Sequence, residues 1–390
     1  MSDQIKKTRM CIFLQSAFGF QSFFGTIMVV FYTTYMGLSF SQYLFLDGLL
    51  FALIAFFEIP SGYLSDKVGR KKMILLSRLF EILAMIVLVV MRSYTGALIA
   101  AILNGIFGAM ESGNADALYF ELFQKENAMD MFKKTMGKAS TISMICATVC
   151  SVASGYLAEY SLALPVIADI VLLSLSTCAL AVLLEDNEKY RADAKFSLIQ
   201  DYEDNKHEIA DVIPYFAFFA IMFALFRVSY SVYQPLLQET GIPVKYFGYI
   251  FAAANFVSAF SSNLIAEGKV KHEAVPFIVM TVFGVSVLGI YAVHSALVVA
   301  FLFVQQFIRG LALPYLRVES QQVIPADSKL RVTYGSVSSL MNKLTISLIT
   351  WIYSLMTFDS IHPSYAVIGT AMLVLYIVLY KCTAGRHQQS

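Results

Sequence analysis

Four charged side chains lie near the middle of long apolar runs, where a charge can do chemistry that a surface charge cannot: Glu111, Arg227, Arg309 and Lys343. An ionised side chain at mid-bilayer costs about 2.5–3.5 kcal/mol or more, so each calls for a use or a partner. A carboxyl such as Glu111 can take up and release a proton, and the three cations can hold the negative group of an anionic or zwitterionic solute. The plainer alternative is that Glu111 neutralises one of the cations. Gln305 precedes Arg309 by four residues and shares its helix face. Asn255 is a further polar candidate, with Gln15, Gln21, Gln234, Gln306 and Asn342. Arg78 and Glu81, three apart, are expected to pair with each other. On a regular helix Asp116 is turned about 140° from Glu111, so it is expected to brace a neighbouring helix. Asp47 and Asp169 fall near helix ends and are expected to reach water, while Glu58 and Arg317 lie toward the opposite ends.

The runs that carry these residues fix their setting. Hydrophobic residues make up 58% and charged residues 14% of the chain, with mean hydropathy +0.68; soluble domains have about 45–50% and about 25%. Runs of about twenty residues without alternation are helical spans, not barrel strands. Twelve are predicted, near 10–36, 42–65, 73–92, 95–122, 136–159, 163–184, 212–239, 245–266, 274–293, 296–322, 331–357 and 364–380. Lys and Arg concentrate in alternate loops, whereas the loops on the other side hold Arg92 and Lys245, so both termini are expected to be cytoplasmic. Residues 185–211 form the longest polar stretch and separate two bundles, 1–184 and 212–390. Phe196, Leu198 and Ile199 within it could form a short amphipathic helix or part of a solvated linker. The halves echo each other: Gly37 and Gly241 follow a first helix, Gly48 and Gly248 open a second, and Gly108 matches Gly310. Equal span counts and these echoes predict a duplicated six-helix unit.

The second loop reads Gly62-Tyr63-Leu64-Ser65-Asp66-Lys67-Val68-Gly69-Arg70-Lys71-Lys72. Gly62 would allow close helix approach and Gly69 a turn that residues with a Cβ make poorly. Asp66 could cap a helix or pair with Arg70, and the basic run would sit at headgroups. This stretch resembles the loop signature of the major facilitator superfamily, G-x-L-(A/S)-D-x-x-G-R-(K/R)-(K/R). Glu58-Ile59-Pro60-Ser61-Gly62 and Ser112-Gly113-Asn114-Ala115-Asp116-Ala117-Leu118-Tyr119 resemble a drug-efflux-like branch of that superfamily. Two positions depart from its proton-antiporter pattern: Asn104 stands where an arginine is usual, and Cys150–Gly155 lacks the fifth-helix proline.

The resemblance implies an all-α integral membrane fold of two pseudo-symmetric six-helix bundles. It also implies secondary active transport of a small organic solute, with Asp66, Gly62, Gly69 and Arg70 as a conformational latch. Helices one, four, seven and ten would line the cavity, flanked by two, five, eight and eleven, which places Glu111, Arg227, Arg309 and Lys343 on it. Proton-coupled export is the expected mode, with uptake of an anionic or zwitterionic metabolite the alternative and a non-transporting receptor or scaffold the rival. No cofactor is expected beyond a proton gradient. The five histidines fall in predicted loops or the tail, no nucleophile–base arrangement is present, and no phosphate loop occurs, so neither an enzyme nor an ATP-driven pump is expected. The net charge of +1 gives no call for nucleic acid. The expected surroundings are a lipid bilayer, with the chain a monomer. The absence of an N-x-S/T sequon fits a bacterial inner membrane.

Overall fold

The computed structural model describes residues 2–112, 114–185, 206–266, 275–322, 331–356, 361, 363 and 365–375. Among these the regular structure is helical throughout. The chain divides into two compact units, Met1–Ser197 and Leu198–Ser390. The amphipathic stretch expected at Phe196, Leu198 and Ile199 lies outside the described residues.

In the first unit α1 spans Asp3–Phe18 and α2 spans Phe24–Val30, continuing into a π turn at Phe31–Tyr35. Then follow α3 (Phe40–Val68), α4 (Arg70–Met91), α5 (Tyr94–Glu111), α6 (Asn114–Lys125), α7 (Met129–Tyr160) and α8 (Ala163–Leu183). Local chemistry sets several boundaries. Ser39 and Gln42 form a reciprocal capping box at the start of α3, at 2.9 and 3.1 Å. Ser93 caps α5 by accepting from the Gly96 N–H. Gly69 ends α3 at φ 99°, in the region that favours glycine.

Two predicted spans are broken. The first separates between Gly19 and Phe23, and in the fourth α5 ends at Glu111 with Ser112 in a non-helical cap. Breaks at membrane depth free backbone groups that must find partners within the protein. Here the Gly19 carbonyl accepts from Arg78, and the Phe23 and Phe24 amides donate to Asp169 at 3.3 and 2.7 Å. At the second break, Ser61 Oγ donates to the Ala109 carbonyl at 2.9 Å and Asn114 Nδ2 donates to the Met110 carbonyl.

The second unit contains α9 (Lys206–Glu239), α10 (Phe247–Ala266), α11 (Val275–Ala292), α12 (Val298–Gln322), α13 (Arg331–Ser354) and α14 (Tyr365–Leu375). Helix α9 packs on α13, and α12 packs on α10 and α11. In the first unit α5 packs on both α3 and α4, while α1 packs on α7 and α8.

Seven of the described helices are long and apolar enough to cross a membrane. Their outer faces carry Val149, Leu175 and Val182, all exposed, whereas Arg78, Glu81 and Asp169 are buried. An apolar exterior around buried charge is the arrangement that lipid imposes.

Two of the internal echoes correspond in conformation. Gly37 and Gly241 both take left-handed turns, at φ 70° and 75°. The Leu38 N–H closes back on the Tyr32 carbonyl and the Ile242 N–H on the Leu237 carbonyl; the first turn is one residue wider because it follows the π turn. Gly108 lies against Ile54 of α3, and Gly310 against Ser258 and Ser261 of α10. The third echo fails, because Gly48 sits in the third turn of α3 whereas Gly248 is the second residue of α10.

The contacts of Gly108 and Gly310 differ in hardness. A Cβ at Gly108 would meet the tip of a flexible isoleucine, and one at Gly310 would strike the Ser258 backbone carbonyl. Gly310→Ala is therefore expected to destabilise by about 1–3 kcal/mol and Gly108→Ala by less. Thermal unfolding of the two purified variants side by side checks the order.

Candidate functional site

The first unit holds an ion cluster on α4 and α5, braced by side chains of α1 and α6. Arg78 on α4 bonds Glu81 through Nη1 at 2.9 Å, the expected pairing, and Glu111 of α5 through Nη2 at 2.7 Å. Gln15 Nε2 donates to Glu111 Oε1 at 2.9 Å, Ser77 Oγ to Glu111 Oε2 at 3.1 Å, and Gln21 Nε2 to Glu81 Oε1 at 3.1 Å. Tyr119 of α6 donates to Gln15 Oε1 and so holds that amide in orientation. The Phe107 ring lies 5.5 Å from the guanidinium carbon. Arg78 and Glu81 are each 2% exposed, while the Glu111 side chain is 22% exposed.

Two carboxylates on one guanidinium leave a formal excess of one negative charge. Water screens such an excess cheaply and a low-dielectric interior does not. A proton shared with the cluster would remove the excess, and Glu111 is its most exposed member. Within its own bundle the cation that pairs with Glu111 is Arg78. Spacing within one helix made Arg78–Glu81 readable; the α4–α5 crossing that brings in Glu111 has no sequence signal.

Two further expectations need correction. Asp169 does not reach water: it is buried and caps α2, where the partial positive charge of a helix start suits a carboxylate. Asp116 does not brace a neighbouring helix. It is exposed in the first turn of α6, and the break at Ser112 voids the helical angle used to orient it. The stretch Ser112–Tyr119 works instead through Asn114, which accepts from Ser65 at 2.6 Å, and through Tyr119.

Of the loop signature, Gly69 makes the expected turn. Arg70 pairs with Glu121 of α6 at 3.1 Å. Asp66 lies in the last turn of α3, and its side chain is outside the described residues. Gly62 does not serve close approach within its unit, since a Cβ there would meet nothing within 4 Å.

In the second unit the Arg309 guanidinium stacks over the Tyr230 ring at 4.6 Å. Tyr230 in turn packs on Tyr233 and Phe251, with centroids 5.4 and 5.9 Å away. Gln305 is buried one turn before Arg309 and accepts from Tyr233 at 2.8 Å and Ser229 at 3.2 Å, while its Nε2 has no hydrogen-bond partner among the described residues. Arg309 makes no ion pair among the described residues. Arg227 is half-buried on α9 three residues before Tyr230, Lys343 is half-buried on α13, and Asn255 is exposed on α10. Tyr230 was not anticipated, because its role depends on α9 and α12 bringing it under Arg309.

The family model of the Major Facilitator Superfamily matches residues 10–354. The chain belongs to the Major Facilitator Superfamily. It is a multi-pass membrane protein of a transporter family. An uncharacterised MFS-type transporter of Bacillus subtilis (strain 168), YxaM, is 25% identical over 242 residues, which cover 58% of this chain and 57% of that protein. The match thus spans little more than half of that relative. Among solved structures, the nucleoside transporter NupG aligns over 98% of this chain and 99% of its own, with TM-score 0.79 and 10% identity. A D-xylose-proton symporter aligns over 97% of each chain with TM-score 0.69 and 13% identity. At these identities the likeness establishes the fold.

If Arg78 neutralises Glu81 and Glu111, its removal strands two buried carboxylates. Arg78→Ala is expected to cost about 3–5 kcal/mol of stability. Adding Glu81→Gln and Glu111→Gln should recover most of the loss. Thermal unfolding of the single and triple variants in detergent measures both effects.

Proposed function

We propose that this superfamily member is a secondary active transporter that moves a small organic solute by alternating access, driven by a proton gradient. Protons exchange at the Arg78–Glu81–Glu111 cluster, and solute is held near Arg309, Tyr230 and Gln305. The observation that carries this reading is the excess carboxylate beside a single buried guanidinium, with Glu111 as its accessible member. Glu111 moves the proton, Arg78 stabilises its ionised form, and Gln15 and Ser77 hold its two oxygens in place. Export is the direction favoured by the Glu58–Gly62 and Ser112–Tyr119 stretches. Asp66, Gly62, Gly69 and Arg70 act as the latch between conformational states. The setting is a bacterial inner membrane, with both termini cytoplasmic and the chain acting as a monomer.

A second reading, uptake of an anionic metabolite together with a proton, is favoured by one feature. Arg227, Arg309 and Lys343 lie in the spans of the second unit, and Arg309 has no carboxylate pair among the described residues. The opposed directions separate in proteoliposomes loaded with either solute or acid.

Reconstituted Glu111→Gln is expected to lose gradient-driven accumulation while retaining passive exchange of solute. Arg309→Ala should instead weaken solute binding, by about tenfold or more for loss of a charge-assisted hydrogen bond. Accumulation by Glu111→Gln at the wild-type level would make Glu111 a structural counter-ion and place coupling elsewhere.

A further inference from the structure

Where α1 and α7 pack together, the first unit has a recess of about 420 Å³ lined by Arg9, Met131, Lys134, Thr135, Gly137 and Lys138. Three of the six lining side chains are cationic and none is acidic. Neither Lys134 nor Lys138 makes an ion pair among the described residues. Arg9 lies against the Phe13 ring at 5.8 Å, which keeps its stem on the apolar wall.

The hydroxyl of Thr135 makes this more than a patch of surface lysines. Thr135 is 1% exposed, and its Oγ1 has no hydrogen-bond partner among the described residues. A threonine within a helix ordinarily satisfies its hydroxyl on the carbonyl four residues back. Thr141 and Thr148 on the same helix do so, at 3.3 and 2.8 Å. A buried hydroxyl left unmade in a cationic recess is a group that awaits an acceptor. Gly137 adds to the cradle: a Cβ there would meet nothing within 4 Å, so no packing accounts for a glycine inside this helix.

Position along α7 selects the acceptor. The helix has 32 residues, or about 48 Å at 1.5 Å per residue, against a hydrocarbon core of about 30 Å. Its basic residues Lys133, Lys134 and Lys138 precede the long uncharged run 139–158, so the recess falls at the level of lipid headgroups. Basic pockets between membrane helices at this level suit anionic headgroups.

We propose that this recess binds the phosphate of an anionic membrane lipid, with Arg9, Lys134 and Lys138 neutralising its charge and the Thr135 hydroxyl donating to a phosphate oxygen. The site is separate from the ion cluster around Arg78, and lipid bound there ties α1 to α7.

The test titrates the purified full-length protein with phosphatidylglycerol or phosphatidylcholine and reads bound lipid by native mass spectrometry. Wild type is expected to retain phosphatidylglycerol in preference to phosphatidylcholine. Each cation removed should cost about fivefold in affinity, so the combined variant Arg9→Gln, Lys134→Gln, Lys138→Gln loses on the order of a hundredfold. Thr135→Val should weaken retention without a change of charge, and Gly137→Leu should do so by filling the recess. A control with Lys6→Gln, Lys7→Gln and Lys133→Gln removes the same charge nearby and should keep the lipid. An equal loss in that control would assign retention to diffuse charge and overturn the site. Wild-type retention in either Thr135→Val or Gly137→Leu would do the same. Displacement of the lipid by inorganic phosphate would overturn the lipid as the source of the bound phosphate.

Discussion

Arg78 is the residue on which the first unit depends. It is buried, it crosses from α4 to Glu111 of α5, and it also takes the Gly19 carbonyl at the end of α1. A guanidinium can meet three partners at once because its donors form a rigid fork, which a lysine ammonium does not reproduce. Removing it would leave two carboxylates and a helix-end carbonyl without their common donor. The unit therefore stores in one side chain both the closure of a broken helix and the neutralisation of its ion cluster.

The breaks themselves follow from membrane physics. A continuous helix satisfies its own backbone, so an interruption persists in lipid only where side chains take over the freed groups. At the first break the partners have the signs that the helix dipoles ask for: Arg78 at the carbonyl end of α1 and Asp169 at the amide end of α2. At the second, neutral Ser61 and Asn114 suffice. The second unit uses charge differently. Arg309 is stabilised by an aromatic face and makes no ion pair among the described residues. On the proposed reading, one unit handles the proton and the other the solute, a division that mirrors the opposite signs of their central charges.

How much of this the sequence showed depends on the range of the interaction. Helical spans were legible because lipid demands long apolar runs, and the repeated left-handed glycines at positions 37 and 241 were visible as spacing. The Arg78–Glu81 pair was legible because three residues along a helix is a neighbour distance. The breaks in the first and fourth spans were hidden, since hydropathy averages over Gly19–Phe23 and Ser112 without reporting backbone hydrogen bonds. Asp169 looked like a helix-end residue facing water because its partners, the α2 amides, lie 145 residues away in the chain. Glu111 was singled out correctly as a residue that needs a partner, but the partner is a property of helix packing. Tyr230 under Arg309 was hidden for the same reason.

The central claim is that the Arg78–Glu81–Glu111 cluster carries one exchangeable proton. Infrared difference spectroscopy of the reconstituted protein between acid and alkaline conditions tests it directly, because a protonated carboxyl in an apolar setting has its own carbonyl band. The account predicts such a band in wild type, gained at acid and lost at alkaline pH, and its loss or clear shift in Glu111→Gln. A spectrum with no titrating carboxyl, or one that Glu111→Gln leaves unchanged, would contradict it.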